Sequence, residues 1–536
     1  MDINKSSFDS LPNEIFLEIF LWVKAFNDHD GDNHFHPPAC ASLSQVSTHW
    51  RRLALADRRL WVNWPRYGSA AHWTAFCYDR SFGALLNLHH IIDGHANAAV
   101  KQARIVAFFQ MARARSVLIR FDLLERGSDA EGHFPAARAL GLFESVLSTA
   151  LHLRHLHLEN VWTVHPKPRV NQYPFQASMP LTLIELSLVG FVATFPQDAQ
   201  FHSLCILKIQ DASAWCHVDE MVQFLANMPN LEELVYSYDD NPENRAGNNN
   251  IPPVVNQAIS QTHPSRCVTL PRLKRLELSG GFKSGALLLI YSNFAAQVDL
   301  HLGADEIYTQ GEEHMDLYWE ALQSHFADAM AAGHSYDVLT INNRIISPDM
   351  TRQTSPSSTL PTSLSLALPI YCFRNVQGGR VIPASCALYL TLPVLAGGSE
   401  LHVTHTVNHD LFLAMFPTLP ALRILVLKQH ATKELTSSEL AKCAQIFPAL
   451  EILRLTDFDC DEGVEPARRE KMSDVIAGKV VQALRLCFNF DCTTTWRRIE
   501  FERFRYGEHI AERIRSEPSL KEFNANVQIT CTDCTM

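Results

Sequence analysis

The sequence lacks any long uninterrupted apolar run. A membrane-spanning helix needs about 18 or more consecutive apolar residues, whereas the best stretch, residues 285–290, ends at Tyr291, Ser292 and Asn293. The first ten residues, MDINKSSFDS, are polar and lack the apolar segment of a secretory signal. These absences predict a soluble protein that stays inside the cell, in the cytoplasm, the nucleus or both.

Positive charge is in the minority. The chain has 46 Lys and Arg against 57 Asp and Glu, which gives a formal net charge of −11 at pH 7 with His neutral. No basic run offsets this excess locally. Because phosphate backbones and anionic membrane surfaces attract basic proteins, we expect neither nucleic acid nor a membrane as a partner.

Cysteine provides no disulfide framework. The 13 cysteines are odd in number and scattered singly from Cys40 to Cys534, as is typical of small buried side chains in a reducing compartment. The pair Cys531 and Cys534 forms a CxxC, but no second Cys or His pair lies nearby at zinc spacing. We therefore interpret it as part of a terminal tail and not as a metal site.

Signatures of catalysis are missing as well. The phosphate-binding GxxxxGK[ST] and the motifs GxGxxG and GxSxG do not occur. Residues 457–461 have the alternating acids that open a calcium loop, but Glu462 replaces the required Gly and Arg468 the required Glu. We therefore expect no cofactor, no metal and no catalysis, and an enzyme on a helical and β scaffold is the weakest of the readings that we carry forward.

The N-terminal sixty residues carry apolar side chains at helical spacing. Pro12 falls in the first turn, where its missing N–H costs nothing, and Ser10 can cap the helix. A polar interruption at residues 24–38 is followed by two or three further short helices. So short a segment cannot bury all of its large side chains, which leaves apolar surface for a partner or for the rest of the chain. The residues at helical spacing are Ile15, Phe16, Ile19, Phe20 and Val23, then Leu43, Val46, Trp50, Leu53, Ala54, Leu60, Trp61 and Trp64.

This segment resembles the F-box. The similar parts are LPNEIFLEIF from Leu11, LSQVSTHWRRLA from Leu43 and the closing pair Leu60 and Trp61, all in the family's order. The departures are a longer first interhelical loop and Ser47, where the family often has Cys. An exposed loop tolerates extra length at low entropic cost. The alternative is an ordinary helical bundle that packs on its own chain.

The resemblance implies a small helical bundle that docks on the Skp adaptor of a cullin ubiquitin ligase. Its expected partners are therefore a Skp-family adaptor and, through the adaptor, a cullin. The implied adaptor-binding residues are Leu11, Pro12, Ile15, Phe16, Ile19, Val46, Trp50, Leu53 and Trp61.

The remainder of the chain contains a repeat. The pattern LxxLxL alone would occur by chance about 15 times in a chain of this composition. Four hits, however, are preceded by an apolar residue, a Pro and one further residue, which chance would produce only about 0.25 times. The hits begin at Leu118, Leu153, Leu183, Leu204, Leu231, Leu273, Leu422, Leu450 and Val481, and the four with Pro are those at Leu231, Leu273, Leu422 and Leu450. Weaker units are expected near Leu300, Leu339, Leu401 and Phe523.

Each repeat predicts a helix, a turn and a short strand. The segments 218–228 and 440–447 are amphipathic, Pro ends each helix, and the LxxLxL alternates as a strand. Such units bury their apolar faces by stacking, and they resemble leucine-rich repeats with irregular spacings of 21 to 42 residues. The predicted fold class is α/β: an N-terminal all-helical F-box bundle followed by an irregular leucine-rich-repeat solenoid, with a curved parallel sheet and outer helices. It resembles a fungal-type irregular family of F-box and leucine-rich-repeat proteins.

We expect three parts along the chain: an F-box domain at residues 8–64, a helical linker at 65–103 and the repeat domain at 104–536. Two polar stretches near 239–253 and 347–363 are predicted loop insertions. We interpret both as simple tolerated insertions. The alternatives are that the repeat register shifts there, or that exposed Ser and Thr residues in them are modified.

Residues that alternate outward between the repeat leucines predict a protein-binding surface. They are acidic on balance in the N-terminal half and basic on balance in the C-terminal half. Apolar residues surrounded by charges suit a protein partner; those expected on this face are Ile206, Val235, Ile424, Val426 and Ile452. The expected substrate-binding residues are His155, His157, Glu185, Lys208, Glu233, Lys428, Arg454 and Arg485.

The two resemblances together predict the substrate-recognition subunit of a Skp, cullin and F-box ubiquitin ligase. Such a subunit performs no covalent step and recruits a protein target, whose identity the sequence does not give. The alternative is a non-catalytic F-box scaffold that binds its adaptor without any role in ubiquitylation.

Overall fold

In the computed structural model, the chain forms two compact units, Met1–Tyr238 with Glu243–Leu273 and Asp239–Pro242 with Lys274–Met536. No helix among the described residues is long and apolar enough to cross a membrane. The described residues are 11–29, 39–63, 71–93, 110–122, 149–160, 182–190, 200–212, 214–237, 254–256, 258–280, 282–303, 312–342, 345–348, 360, 364–367, 392–404, 419–428, 449–456, 474–482, 485, 497–503, 507–518 and 527–534.

The first unit opens with short helices. They are α1 (Asn13–His29), α2 (Ala39–Leu43), α3 (Thr48–Ala56), a 3₁₀ turn (Arg58–Trp61) and α4 (Ala71–Arg80).

Helix α1 begins as the sequence predicts and ends later. The N–H groups of Ile15 and Phe16 both donate to the carbonyl of Pro12, at 3.1 and 3.3 Å, so Pro12 lies where no N–H is needed. The expected break at Lys24 is wrong, because the helix continues to His29. Polar residues on a solvent-facing helix surface need not end the helix.

The core of this helical region is aromatic. Phe16 and Phe20 are fully buried, and their rings lie 5.6 and 5.0 Å from that of Trp50. Trp61 is buried too, and its indole N–H donates to the carbonyl of Ala54 at 2.7 Å. Because this N–H has a hydrogen-bond acceptor, burying Trp61 leaves no unsatisfied indole donor in the small core.

A parallel sheet follows in the first unit. Its strand order is β1, β2, β3, β4, β5, β7, while β6 pairs separately with β8. Inward residues line up in rows across the strands, so the leucines of one strand contact those of the next. The elements are β1 (Leu86–Asp93), a 3₁₀ turn (Met111–Arg113), β2 (Ala114–Asp122), β3 (His155–Asn160), β4 (Glu185–Val189), β5 (Ile206–Gln210), β6 (Trp215–His217), α5 (Val218–Ala226), β7 (Glu233–Ser237), β8 (Val254–Asn256) and β9 (Val268–Thr269).

Ten strands of the second unit lie side by side in a sheet. Its strand order is β10, β12, β15, β14, β13, β16, β17, β18, β19, β20, and all neighbours are parallel except β14, which runs antiparallel to both β13 and β15. The elements are β10 (Arg275–Ser279), α6 (Phe282–Tyr291), β11 (Ser292–Asn293), β12 (Asp299–Gly303), α7 (Glu312–Ala331), β13 (Val338–Asn342), β14 (Ile345–Pro348), β15 (Leu364–Ala367), α8 (Pro393–Ala396), β16 (Glu400–Val403), β17 (Ile424–Lys428), β18 (Ile452–Thr456), α9 (474–482), β19 (Arg498–Glu502), α10 (Gly507–Ser516) and β20 (Gln528–Thr532).

The predicted apolar-Pro-x-Leu segments form tight turns in both units. The N–H of Leu231 donates to the carbonyl of Met228 at 3.2 Å, and that of Leu422 donates to Leu419 at 3.2 Å. Pro occupies the second position of each such turn, where its fixed φ is favourable. The leucine that closes the turn is buried and lies two residues before the strand.

A second recurring turn ends several strands. Gly190, Asp211, Gly280 and Arg503 have φ values of 73, 48, 121 and 47°. Each donates its N–H to the carbonyl of the last residue on the neighbouring strand, at 2.8 to 3.1 Å. Glycine is favoured in this left-handed conformation, and Asp211 and Arg503 adopt it at a cost.

The structure corrects the repeat phase on β2. Val117, Ile119 and Phe121 are buried, whereas Leu118 is half-buried on the opposite face. Ala114, and not Leu118, takes the position of the first leucine. The repeat on β2 therefore begins four residues earlier than the sequence predicts, and because side chains alternate along a strand, Leu118 falls on the face opposite the core.

Two further predictions are corrected. The unit assigned to Val481 is not a strand there, because residues 474–482 are helical and bury Ile476, Ala477, Val480 and Val481 on one helical face. The expected helical linker at 65–103 contains α4 but also β1, so the sheet begins before residue 104.

The weak units near Leu300, Leu339 and Leu401 are confirmed as strands β12, β13 and β16. The amphipathic helix at 218–228 is confirmed as α5. Other predictions lie wholly or largely outside the described residues. These are residues 8–10 and 64 of the F-box segment, the helix at 440–447, the loops near 239–253 and 347–363, and the unit at Phe523.

Candidate functional site

The sheet of the first unit has a polar face opposite the buried leucines. On β3, Leu156 and Leu158 are buried, and the residues between them are half-buried on the other side. The strands lie in register, with His155 beside Glu185 and Ile206 beside Glu233. We call this the first polar face; it comprises His155, His157, Glu159, Glu185, Lys208 and Glu233.

Glu185 joins three strands of the first polar face. One carboxylate oxygen lies 3.2 Å from Nδ1 of His155, and the other accepts a hydrogen bond from Nζ of Lys208 at 3.1 Å. Burial opposes ionisation, but the bonds from Lys208 and His155 outweigh it and lower the pKa of the Glu185 carboxyl. These bonds therefore hold His155, Glu185 and Lys208 in a fixed arrangement.

A second ion-pair group lies on the same face. Nε2 of His157 and Nε of Arg120 lie 4.0 and 3.9 Å from the same oxygen of Glu159. Burial lowers the pKa of His157, against the opposing effect of Glu159 and Glu185. Sequence reasoning missed Arg120, which lies on a strand whose repeat it placed four residues too late.

The sheet of the second unit carries a corresponding cluster. Nε of Arg454 lies 2.6 Å from Glu500, and its Nη1 lies 3.6 Å from Glu400. Glu400 is only 4% exposed and lies 2.7 Å from Nε2 of His402. Burial of Glu500 is outweighed by hydrogen bonds from Arg454 and Arg498, which lower the pKa of its carboxyl. We call Glu400, His402, Lys428, Arg454, Glu500 and Glu502 the second polar face.

The expected basic excess in the C-terminal half is wrong. It depended on Lys428, Arg454 and Arg485, but β19 brings Glu500 and Glu502 onto the same face beside Arg454. Arg485 is helical, not on a strand, and pairs with Glu517 at 2.6 Å. The error has one cause, since the strand assigned to residues 481–486 is in fact β19.

Two expected apolar contacts are also wrong. Val235 and Val426 are 4% and 1% exposed and cannot meet a partner directly. Their neighbours Ile206, Ile424 and Ile452 remain partly exposed on the polar faces. Valines in the middle of a sheet face are covered by the longer side chains around them.

The described residues contain no group of three or more His, Cys, Asp or Glu side chains arranged to hold a metal ion. In the C-terminal CxxC, burial and then the nearby Glu508 carboxylate raise the pKa of Cys531 to about 12. A thiol kept protonated is a poor nucleophile and a poor metal ligand.

Helix α1 exposes a row of apolar side chains. Pro12 is exposed, Ile15 is 46% exposed, Ile19 is half-buried and Trp22 is 78% exposed. Their spacing of three, four and three residues places them on one helix face. We call these four residues the apolar strip.

The opposite face of α1 holds the strip in place. Phe16 and Phe20 pack against Trp50 of α3, so the rotation of α1 about its axis is set by the core. Val46, 61% exposed, lies just before α3. The next residue, Ser47, caps α3 by accepting a hydrogen bond from the Trp50 N–H at 3.1 Å, which restrains the backbone beside Val46.

Comparison with known protein families decides the nature of this region. Residues 8–63 match the family model F-box-like. The chain carries an F-box-like domain. F-box domains bind Skp-type adaptors of ubiquitin ligases, and F-box proteins are typically non-catalytic adaptors. No curated protein matches the chain.

The structure separates the nine adaptor-binding residues that the sequence predicts into three groups. Pro12, Ile15 and Val46 are exposed on the F-box-like domain. Leu11, Ile19 and Trp50 are half-buried. Phe16, Leu53 and Trp61 lie in the core, where they support the surface without reaching it.

Trp22 is the surface residue that sequence reasoning missed. It lies seven residues after Ile15 and three after Ile19, so helical spacing was the signal that could have found it. A Trp that leaves 78% of its side chain exposed on an ordered helix is unusual unless a partner covers it.

Proposed function

We propose that this protein is the substrate-recognition subunit of a Skp, cullin and F-box ubiquitin ligase. The F-box-like domain would bind a Skp-family adaptor and, through it, a cullin, inside the cell. The observation that carries the proposal is the exposed apolar strip, together with the exposed Val46, within the F-box-like match. Trp and Ile anchors of this kind dominate the energy of protein interfaces.

The sheets are the proposed target-binding part. Recurring tight turns, strands in register and left-handed residues at strand ends support an irregular leucine-rich-repeat arrangement. Its polar faces combine ordered ion pairs with partly exposed isoleucines, which suits a protein partner.

The protein would contribute no chemical step. It would hold a target near the ubiquitin-charged enzyme and thereby raise the effective concentration of the target's lysines. Ordered side chains such as Glu185 and Lys208 favour this role, because little entropy is lost when a partner meets them.

Reconstitution tests the proposal. The full chain should co-purify with a Skp-family adaptor and a cullin, and Ile15→Glu should abolish both interactions by placing a charge in an apolar contact. Adaptor binding without a cullin would favour the scaffold alternative, and no adaptor binding would contradict both. The same full-length Ile15→Glu variant should retain its target, and quantitative mass spectrometry of proteins captured by it would identify that target.

A further inference from the structure

A half-buried arginine connects the helical region to the sheet within the first unit. Arg113 lies directly before β2, and its guanidinium donates to the carbonyls of Ser81 and Ala84, reaching Ala84 at 2.9 and 3.2 Å. Both acceptors belong to the turn between α4 and β1. Burial lowers the pKa of Arg113, and no carboxylate among the described residues forms an ion pair with it. Its Nη1 donates to Oε1 of Gln110 at 3.1 Å, and its Nε and Nη2 are used mainly on the backbone carbonyls of the turn.

The same turn contacts the F-box-like domain on its other side. Gly83 has φ +80°, and a Cβ there would lie 3.3 Å from Nη1 of Arg58. Only a residue without a side chain readily allows this conformation and this approach together. The turn 81–85 therefore lies between Arg58 of the F-box-like domain and Arg113 of the sheet.

Three further contacts hold the end of the F-box-like match, two to the first strand and one to α4. The N–H of Asn87 on β1 donates to the carbonyl of Val62 at 2.8 Å, and its side-chain amide donates to Asn63 at 2.8 Å. The rings of Trp61 and Phe76 meet edge to face at 5.4 Å. The last residues of the F-box-like match thus bond directly to the first strand.

We propose that Arg113 is a positioning residue that fixes the orientation of the F-box-like domain relative to the first strands of the sheet. Without its forked hydrogen bonds, the turn 81–85 would be held on one side alone, and the two parts would rotate about the contacts at Val62 and Asn63. The consequence for ubiquitylation rests on the proposed function: a target bound to the sheet would be presented at a defined distance from the enzyme that the adaptor recruits. Misplacement of reacting groups by about 1 Å can reduce a rate about a hundredfold.

The first measurement concerns the full chain alone. Fluorescent labels are placed through bioorthogonal amino acids at Gln45 and His152, both exposed, because the 13 cysteines preclude selective thiol labelling. Single-molecule energy transfer should give one narrow distance distribution for the wild type. Arg113→Ala and Arg113→Lys should broaden it, since a lysine keeps the charge but cannot donate as a fork. The matched control is Arg115→Ala, which removes an exposed arginine side chain two residues away.

The second measurement uses the reconstituted ligase. Adaptor affinity and target capture by Arg113→Lys should equal those of the wild type, while the rate of target ubiquitylation falls about tenfold. If Arg113→Ala does not fold, the distance distribution of Arg113→Lys alone tests the proposal. Equal distance distributions in wild type and a folded Arg113 variant would overturn the proposal. If the wild type binds no adaptor, the proposed function fails, and the distance distributions still decide the role of Arg113.

Discussion

Nε of Arg454 lies 2.6 Å from Oε2 of Glu500, its register partner on the neighbouring strand. Arg498 approaches the other oxygen of Glu500 at 3.1 Å. The two arginines differ in burial, since 20% of the Arg454 side chain is exposed against 45% of Arg498. Arg454 also neutralises Glu400, which is almost completely buried. The two ion pairs should therefore differ in energy.

Arg454→Ala should destabilise the protein by about 3 kcal/mol, because it removes the arginine that neutralises the almost completely buried Glu400. It also leaves Glu500 with the more exposed Arg498. Arg498→Ala removes an exposed partner of the same Glu500 and should cost less than about 1 kcal/mol. Urea unfolding of both variants measures the difference. Equal losses of unfolding free energy would show that the buried position of Arg454 confers no special stability.

Acid should destabilise the protein partly through Glu185. Its pKa lies below the ordinary value of 4.5, because hydrogen bonds from Lys208 and His155 outweigh burial. A carboxyl with a lowered pKa stabilises the fold above its unfolded pKa and loses that contribution as the pH falls through the folded value. Glu185→Gln should flatten the loss of unfolding free energy below about pH 4.5, by on the order of 1 kcal/mol. Glu14→Gln, at an exposed position, is the control, and identical acid profiles for all three proteins would contradict the assignment.

The corrected phase of β2 is testable with neighbouring residues. Ile119 is fully buried, so Ile119→Ala should lower the unfolding free energy by about 2 to 5 kcal/mol. Leu118 is half-buried on the other face, and Leu118→Ala should cost about 1 kcal/mol. Thermal or denaturant unfolding compares them. A larger loss at Leu118 would restore the phase expected from LxxLxL.

Two glycines form a matched pair. Gly190 has φ +73°, and a Cβ there would lie 2.6 Å from the carbonyl oxygen of Asn160, so Gly190→Ala should destabilise by about 1 to 3 kcal/mol. Gly478 lies in α9 with nothing within 4 Å of its would-be Cβ. Gly478→Ala should therefore stabilise by up to about 1 kcal/mol. Calorimetry measures the melting temperatures of both variants, and a change of the same sign in both would contradict the opposite effects expected at Gly190 and Gly478.

Trp22→Ala should weaken binding of the Skp-family adaptor about tenfold or more, because it removes an aromatic anchor. The unfolding free energy of the Trp22→Ala variant should not change, since the Trp22 side chain is 78% exposed. Phe82→Ala is the matched control: Phe82 is 73% exposed but lies outside residues 8–63. Isothermal titration with the purified adaptor measures both, and loss of affinity in the Phe82 variant alone would move the interface to the turn 81–85.

The elements that the sequence predicted best are those with local causes. Helix α5 and the turn at Pro229 follow from apolar spacing and from the fixed φ of proline, both of which act within a few residues. The apolar strip was nearly complete for the same reason, because its members recur along one helix. Strands follow Leu231 and Leu422 as expected, since each leucine closes a turn built from adjacent residues and the strand starts two residues later.

Local sequence therefore determined the helices, the turns, most of the strands and the F-box-like domain. Only the tertiary structure decided which strands are neighbours and which charges meet. Arg454 and Glu500 are 46 residues apart in the chain, and their pairing depends on β19, whose pattern did not identify it as a repeat. Arg113 reaches a turn about thirty residues earlier. Such contacts are set by strand register and by the packing of distant segments, which also moved the repeat on β2 by four residues, from Leu118 to Ala114.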